Sequence, residues 1–461
     1  MRKNLFRLGF AFAVLAGTFV SCENQDVTDV NNDALRIETN TISPEMAKVR
    51  DYVPPMAVAA HRGSTFWAPE ETEAAWRWAR EIGADYLESD LQCSKDGVIL
   101  ANHDDNLCRT TNIENVFGED VPRTRAQWYM ENAGMTEAEA EAQYAKDRAA
   151  FQPYYTNQYM YEELMMLDAG TWFNESSLEM ARPGFTPAAK NKQYVSTLED
   201  QIRYAEGKML KRDADGNRVY TKSGVYDPAN PHTSLTYNLE YVDDPQWTGN
   251  VPGIYIEFKE SWLNPSNFEE MVYNELARLH WNIITEPCDG EPWYKNGKVN
   301  VGNTNGKVIL QTFSFESLRR TAEHFQGKVP MCFLLWHDNI TPAQYAGYIN
   351  QGLEFLAHII GPCIAGAPNN YFEMNAPWMA DMIRRSGMLN HPYSFDTLDQ
   401  MNTYFGVYHY GAGQFPAPYM DGAFTNRSEM TLQFLIDNGA RAEGAPTTVE
   451  DPIAVLERLG Y

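Results

Sequence analysis

The sequence predicts an α/β fold, a (β/α)8 TIM barrel with two large loop insertions, and three observations predict it. Short apolar runs alternate with helix-patterned stretches along the chain, the order expected of a parallel sheet covered by helices. Eight such runs fit a closed barrel better than an open sheet. Several of them also stop at charged residues, as barrel strands do where an active site sits at their C-terminal ends. At 461 residues the chain is longer than the roughly 250 of a typical barrel.

The first run, 55–60, ends at His61. Pro69 and the acidic Glu70, Glu71 and Glu73 open a helix. Ala75, Trp78, Ala79 and Ile82 then give it one apolar face at i, i+3, i+4 and i+7, and Gly83 ends it. Residues 84–91 read as the second strand, and 98–101, after a Lys-Asp-Gly turn, as a hairpin return arm. Further strands are expected at 253–258, 307–313, 329–336, 353–360, 388–395 and 421–425, with helices at 315–325 and 378–386 among those between them. The excess length falls at about 112–160, where Thr136 to Glu139 starts a helix with a capping box, and at about 206–250. Both read as loop insertions without a second core.

The chain has 62 acidic and 37 basic residues, for a formal net charge of −25. That acidity argues against nucleic acid as a partner and against a polybasic grip on anionic lipid. Arg2, Lys3 and Arg7 precede thirteen uncharged residues, 8–20, too few to span a bilayer but suited to an export signal. Cys22 follows at once, as in a bacterial lipoprotein signal, where the cysteine carries the lipid. The expected organisation is therefore a signal peptide over 1–21, a flexible tether over 22–52 and a barrel over 53–461. An exported protein of the bacterial cell envelope, held to the membrane through its lipid anchor alone, is the corresponding expectation. Of the remaining cysteines, Cys93 and Cys108 flank a hairpin and could pair under oxidising conditions; buried free thiols are the alternative.

The chemistry gathers at strand ends. His61 and Arg62 end the first strand, Glu88 and Asp90 lie on one side of the second, His103 and Asp104 close the hairpin, and Glu257 and Lys259 end the third. Buried charges are costly unless paired or metal-bound, so repeated interruption at one end points to a working site. Three carboxylates without cysteine favour a hard divalent cation, Ca²⁺ or Mg²⁺. With Arg and Lys beside them they suit a phosphate ester, and two histidines can act as base and acid. His280, His324 and His358 are read as structural.

The ordered series His61-Arg62-Gly63, Pro69-Glu70, Glu88-Ser89-Asp90, His103-Asp104, Arg109-Thr110-Thr111, Leu167-Asp168-Ala169-Gly170 and Ile256-Glu257-Phe258-Lys259 resembles the glycerophosphodiester phosphodiesterase family. Later segments, among them His391-Pro392-Tyr393-Ser394-Phe395, look like its periplasmic branch. The resemblance spans roughly residues 55–430. It implies a barrel similar to that of phosphatidylinositol-specific phospholipase C, with His61 and His103 as general base and acid. It also implies a metal on Glu88, Asp90 and Glu257, phosphate contacts from Arg62 and Lys259, Glu70 nearby, and Asp104 orienting His103. Two positions depart from the family pattern: Glu71 stands in place of Asn, and Asn426 in place of Asp. The implied substrate is a small-molecule or lipid-derived phosphodiester, split to sn-glycerol 3-phosphate and an alcohol. The rival readings are a phospholipid or lysophospholipid phosphodiesterase at the membrane, and a non-catalytic lipoprotein that binds phosphorylated ligands. A glycoside hydrolase would explain neither the histidines nor the Arg and Lys.

Overall fold

The structure is a computed structural model that describes residues 33–175, 184–186, 191–259, 262–407 and 419–461. Eight strands run parallel in chain order: β1 (Ala57–Ala60), β2 (Tyr86–Cys93), β3 (Gly253–Phe258), β4 (Val308–Thr312), β5 (Met331–Leu335), β6 (Ile359–Pro362), β7 (Leu389–Asn390) and β8 (Gly422–Thr425). β8 pairs with β1 in register Ala60 to Thr425. Past β7, Phe395 pairs with Thr425, and its N–H bonds the Phe424 carbonyl at 2.8 Å, so the sheet closes on itself. A helix follows each strand or its hairpin: α1 (Glu73–Ile82), α2 (Leu198–Ala205), α3 (Phe268–Arg278), α4 (Phe315–Phe325), α5 (Pro342–Glu354), α6 (Pro377–Ser386), α7 (Leu398–Asn402) and α8 (Ser428–Asp437). The expected barrel is the observed one.

Local chemistry explains where these helices begin. Thr197 with Asp200, Thr341 with Gln344 and Thr397 with Gln400 form capping boxes on α2, α5 and α7. Thr72 caps α1, and Gly83 ends it at φ +96°. One strand lies later than the sequence suggests. Leu353 continues the buried face of α5 with Tyr345 and Ile349, and the strand begins only at Ile359. Helical periodicity outweighed the apolar run.

Two further expectations are corrected. Part of the expected tether is ordered: Ile42 donates to the Ser386 carbonyl at 2.8 Å, and Arg385 bonds the carbonyls of Ala34 and Ile37 at 2.9 Å. A helix, Pro44–Arg50, buries Met46 and Val49 there. The proposed signal and Cys22 lie outside the described residues. The insertions, for their part, build a second apolar core. Trp128 and Tyr129, from the helix Arg125–Ala133, meet Tyr226 of the later insertion, with Trp128 edge-on to it at 4.9 Å. Buried Arg125 ties this core together through Glu163 at 2.7 Å and Asp147 at 3.0 Å. This core also draws on residues outside both insertions, Leu100 and Leu107 before them and Tyr161, Leu164 and Leu167 between them. Cys93 and Cys108 are free thiols. Among the described residues no helix is long and apolar enough to cross a membrane.

Candidate active site

Parallel register sets the site. Ala60 pairs with Leu87, Asp90 with Glu257, and Gln311 with Glu257, so the polar ends of β1 to β4 share one rim of the barrel. Just past β1 the chain turns sharply. Arg62, Gly63 and Ser64 all take positive φ, and a Cβ on Gly63 would lie 2.6 Å from that of Ala75. Only glycine fits there, and the turn points the Arg62 N–H at Glu88 Oε2, 2.7 Å away. A cavity of about 610 Å³ opens at this rim. His61, Arg62, Glu88, His103 and Glu257 line one half of it, and aromatic side chains from β4 to β8 line the other. Among its described lining residues none belongs to either insertion.

Each histidine is held through Nδ1. His103 Nδ1 lies 2.6 Å from Asp104 Oδ1, which in turn accepts from Arg109 Nε through its other oxygen at 2.6 Å. His61 Nδ1 lies 2.6 Å from Asn426 Oδ1. The Asn426 amide nitrogen donates to Asp396 Oδ1 at 2.8 Å, which sets the amide so that its oxygen faces the ring. Both rings therefore carry their proton on Nδ1 when neutral and keep Nε2 for the cavity. Burial, aided by the Arg62 charge, lowers His61 to about 3. Burial and Arg62 also lower His103, against the pull of Asp90 and Asp104.

The carboxylates are buried and interlocked. Burial would raise Glu70, but the charge of Arg62 and the fork of Arg109, at 2.9 and 2.6 Å, hold it at about 2. Asp90 is held well below the carboxylate range against its burial by Lys259, His103 and Arg62. Glu88 and Glu257 go the other way. Burial first, and then the Asp90 charge, raises Glu88. Burial lifts Glu257 to about 8, with Lys259 opposing and Asp90 reinforcing. Lys259 Nζ lies 3.1 Å from Glu257 and 3.6 Å from Asp90. Glu71, at the position of the family's Asn, accepts the Asp90 N–H at 2.6 Å, and burial beside Asp90 raises its carboxyl as well.

Among the described residues no three His, Cys, Asp or Glu side chains converge as a ready metal site. The donor set nevertheless fits a hard cation. It is oxygen-only and buried, Asp90 Oδ2 meets only Arg62 Nε, at 3.3 Å, and burial beside Asp90 pushes the Glu257 carboxyl towards holding a proton. A divalent ion in place of that proton would relieve the crowding. Every expected site residue among the described ones therefore gathers at this rim. Sequence reasoning missed four contributors: Arg109, Gln311 (which donates to Glu88 Oε1 at 2.8 Å), Asp396 and the aromatic half. Arg109 lay within a quoted motif. The others carry no local signal, since their partners are distant in the chain.

Two imidazoles beside buried carboxylates and two cationic side chains, on a barrel's C-terminal rim, are an arrangement suited to chemistry on phosphate esters. Comparison with known proteins narrows this: residues 61–223 match the glycerophosphoryl diester phosphodiesterase family. A glycerophosphodiester phosphodiesterase of Bacillus subtilis is 26% identical over 343 residues, covering 74% of this chain and 78% of its own length. A glycerophosphoinositol inositolphosphodiesterase of Mus musculus is 32% identical over 203 residues, 43% of this chain and 31% of its own. Among solved structures, a glycerophosphodiester phosphodiesterase from Agrobacterium tumefaciens matches at TM-score 0.42 and 17% identity, over 82% of this chain and 98% of that one. An Oleispira antarctica phosphodiesterase, solved with the product sn-glycerol-3-phosphate, matches at 0.44 and 15%, over 83% and 97%. Residues 61–223 thus carry a glycerophosphoryl diester phosphodiesterase family domain, and the chain is similar to enzymes of that family.

Proposed function

We propose that the protein hydrolyses glycerophosphodiesters to sn-glycerol 3-phosphate and an alcohol, with a divalent cation, Ca²⁺ or Mg²⁺, and with His61 and His103 moving the protons. The observation that carries this reading is the pair of Nδ1-tethered imidazoles lining one cavity. His61 faces a neutral amide and keeps an unprotonated Nε2, the state of a general base, which takes the proton of the attacking oxygen. His103 faces the Asp104 carboxylate, which supports the imidazolium against the burial and the Arg62 charge that oppose it, and in that protonated form it delivers a proton to the departing alkoxide as the P–O bond breaks. Arg62 and Lys259 bind the phosphate oxygens and offset their charge. Glu70 and Arg109 hold Arg62 and Asp104 in place. Glu88, Asp90 and Glu257 would hold the cation. When bound, it supplies charge stabilisation at the phosphoryl oxygens and lowers the pKa of a coordinated hydroxyl.

The test is release of glycerol 3-phosphate from a panel of glycerophosphodiesters with Ca²⁺, Mg²⁺ or EDTA. His61→Ala and His103→Ala should each cost ~10²–10⁴ in rate; near-wild-type turnover in either would refute the assignment. Export and lipidation at Cys22 belong to the same proposal. They are supported by Arg2, Lys3 and Arg7 ahead of the uncharged stretch 8–20 and by Cys22 directly after it. Loss of radiolabelled palmitate incorporation in Cys22→Ser checks them.

A further inference from the structure

One buried cation takes no part in the catalytic rim. Lys307 immediately precedes β4, whose far end carries Gln311, so it lies at the opposite end of the barrel from the site. It is 4% exposed and forms no ion pair with a carboxylate among the described residues. Its Nζ donates to the His280 carbonyl at 2.9 Å and to Cys288 Sγ at 3.4 Å, and it lies 5.6 Å from the centre of the Trp281 ring. A buried ammonium without a counter-charge is costly. A methionine would fill the same space without that cost, so packing alone does not explain the amine.

The sulfur is held against that amine. The Cys288 N–H donates to Asn305 Oδ1 at 2.7 Å, and the Asn305 amide donates in turn to Asp289 Oδ1 at 2.8 Å. Asn305 stands two residues before Lys307, so one side chain fixes the two segments side by side. Cys288 is also within reach of a small oxidant. Cys93, Cys332 and Cys363 are buried, whereas Cys288 is half-buried. Cys108 is half-buried as well, but it has Glu114 for a neighbour, and burial and that charge push its thiol up. Oxidants select thiols that are accessible and have positive charge beside them, and Cys288 meets both conditions.

We propose that Cys288 and Lys307 form an oxidant-driven cross-link, a sulfenamide between Sγ and Nζ that ties the segment after α3 to the foot of β4. It is independent of the phosphodiesterase reading. In the first step a hydroperoxide gives one oxygen to the sulfur, which becomes a sulfenic acid, and the peroxide leaves as water or an alcohol. Sulfur is oxidised by two electrons and the peroxide reduced by two. Lys307 then gives a proton to solvent, and its neutral amine attacks the sulfenic sulfur. The S–N bond forms as the S–O bond breaks, and the hydroxyl leaves as water with a proton from the nitrogen. Excess thiol reverses the link, restoring cysteine and lysine while being oxidised itself to a disulfide.

The test treats the full chain with hydrogen peroxide, blocks the remaining thiols and maps the tryptic peptides by mass. The expected product joins the Cys288 and Lys307 peptides, is lighter than their sum by two hydrogens, and disappears with dithiothreitol. Cys288→Ser should give none of it, and Lys307→Met should let Cys288 run on to the sulfinic acid. Should Lys307→Met fail to fold, dimedone added to the wild-type reaction replaces it, and with the amine in place it should trap little sulfenic acid at Cys288. The linked form should also melt several degrees above the reduced one, a difference absent in Cys288→Ser. Wild-type Cys288 recovered chiefly as a dimedone adduct or sulfinic acid, with Lys307 unmodified, overturns the cross-link. A joined pair that keeps the oxygen overturns the condensation, and equal melting midpoints overturn its role as a tie.

Discussion

The imidazole of His61 meets the side-chain amide of Asn426 at 2.6 Å, across 365 residues of sequence, and Asp396 holds that amide from behind. An amide can fix a tautomer but brings no charge, and burial together with the Arg62 charge keeps His61 neutral far into acid. Asn426→Asp should therefore raise the His61 pKa. Because a base works only unprotonated, the acid limb of kcat/KM should move to higher pH. Asn426→Leu, which frees the ring to turn, should lower kcat about tenfold or more without moving that limb upward. A pH–rate profile of the three proteins checks both, and an unmoved limb in Asn426→Asp would contradict this role for the amide.

Glu70 is depressed to about 2 by Arg62 and Arg109 despite its burial. Its folded pKa lies below its unfolded value, so the stability it contributes is present above pH ~4.5 and is lost as pH falls towards 2. The magnitude is on the order of 3 kcal/mol. Glu70→Gln should unfold more readily in urea at pH 7, and the gap to wild type should close as the acid is raised. A gap constant from pH 7 to 3 would deny the linkage.

How far the site could be read from the sequence follows from its geometry. Strands buried on both faces appear as apolar runs, so the charges ending them at His61, Glu88, Asp90 and Glu257 stand out, and parallel register then levels them. Spacing cannot report what comes from the opposite side of the barrel. Asp396 and Asn426 reach His61 only because β8 closes against β1. The ring wall is equally hidden, since its members come from two strand ends, two helices and a loop, with no shared period. The second core was missed for a related reason. Trp128 and Tyr226 lie in separate insertions, each of which looks like a polar loop alone.

Glu257 is pushed up to about 8, so at pH 7 it holds a proton in the metal-free protein. A cation bound there must displace that proton. Calorimetric titration with Ca²⁺ or Mg²⁺ in two buffers of different ionisation enthalpy should show net proton release at pH 7, from Glu257 and from Glu88, which burial also raises. Apparent affinity should rise with pH. Glu257→Gln should bind the ion more weakly and release less. Binding without proton release would place the cation elsewhere.

The insertions stand apart from the described lining of the cleft, and so does their core. Trp128 is buried against Tyr129 and Tyr226, and Trp128→Ala removes a large ring from packed surroundings, a change that costs about 3–5 kcal/mol. The loss should fall on the insertion core first. Denaturant unfolding followed by tryptophan fluorescence should acquire an earlier step, while far-UV circular dichroism of the barrel keeps its wild-type midpoint. Diester hydrolysis per folded molecule should change less than twofold below that first step. If kcat fell in parallel with the early transition, the insertions would be coupled to the catalytic rim, and the cavity's described lining would understate what holds it.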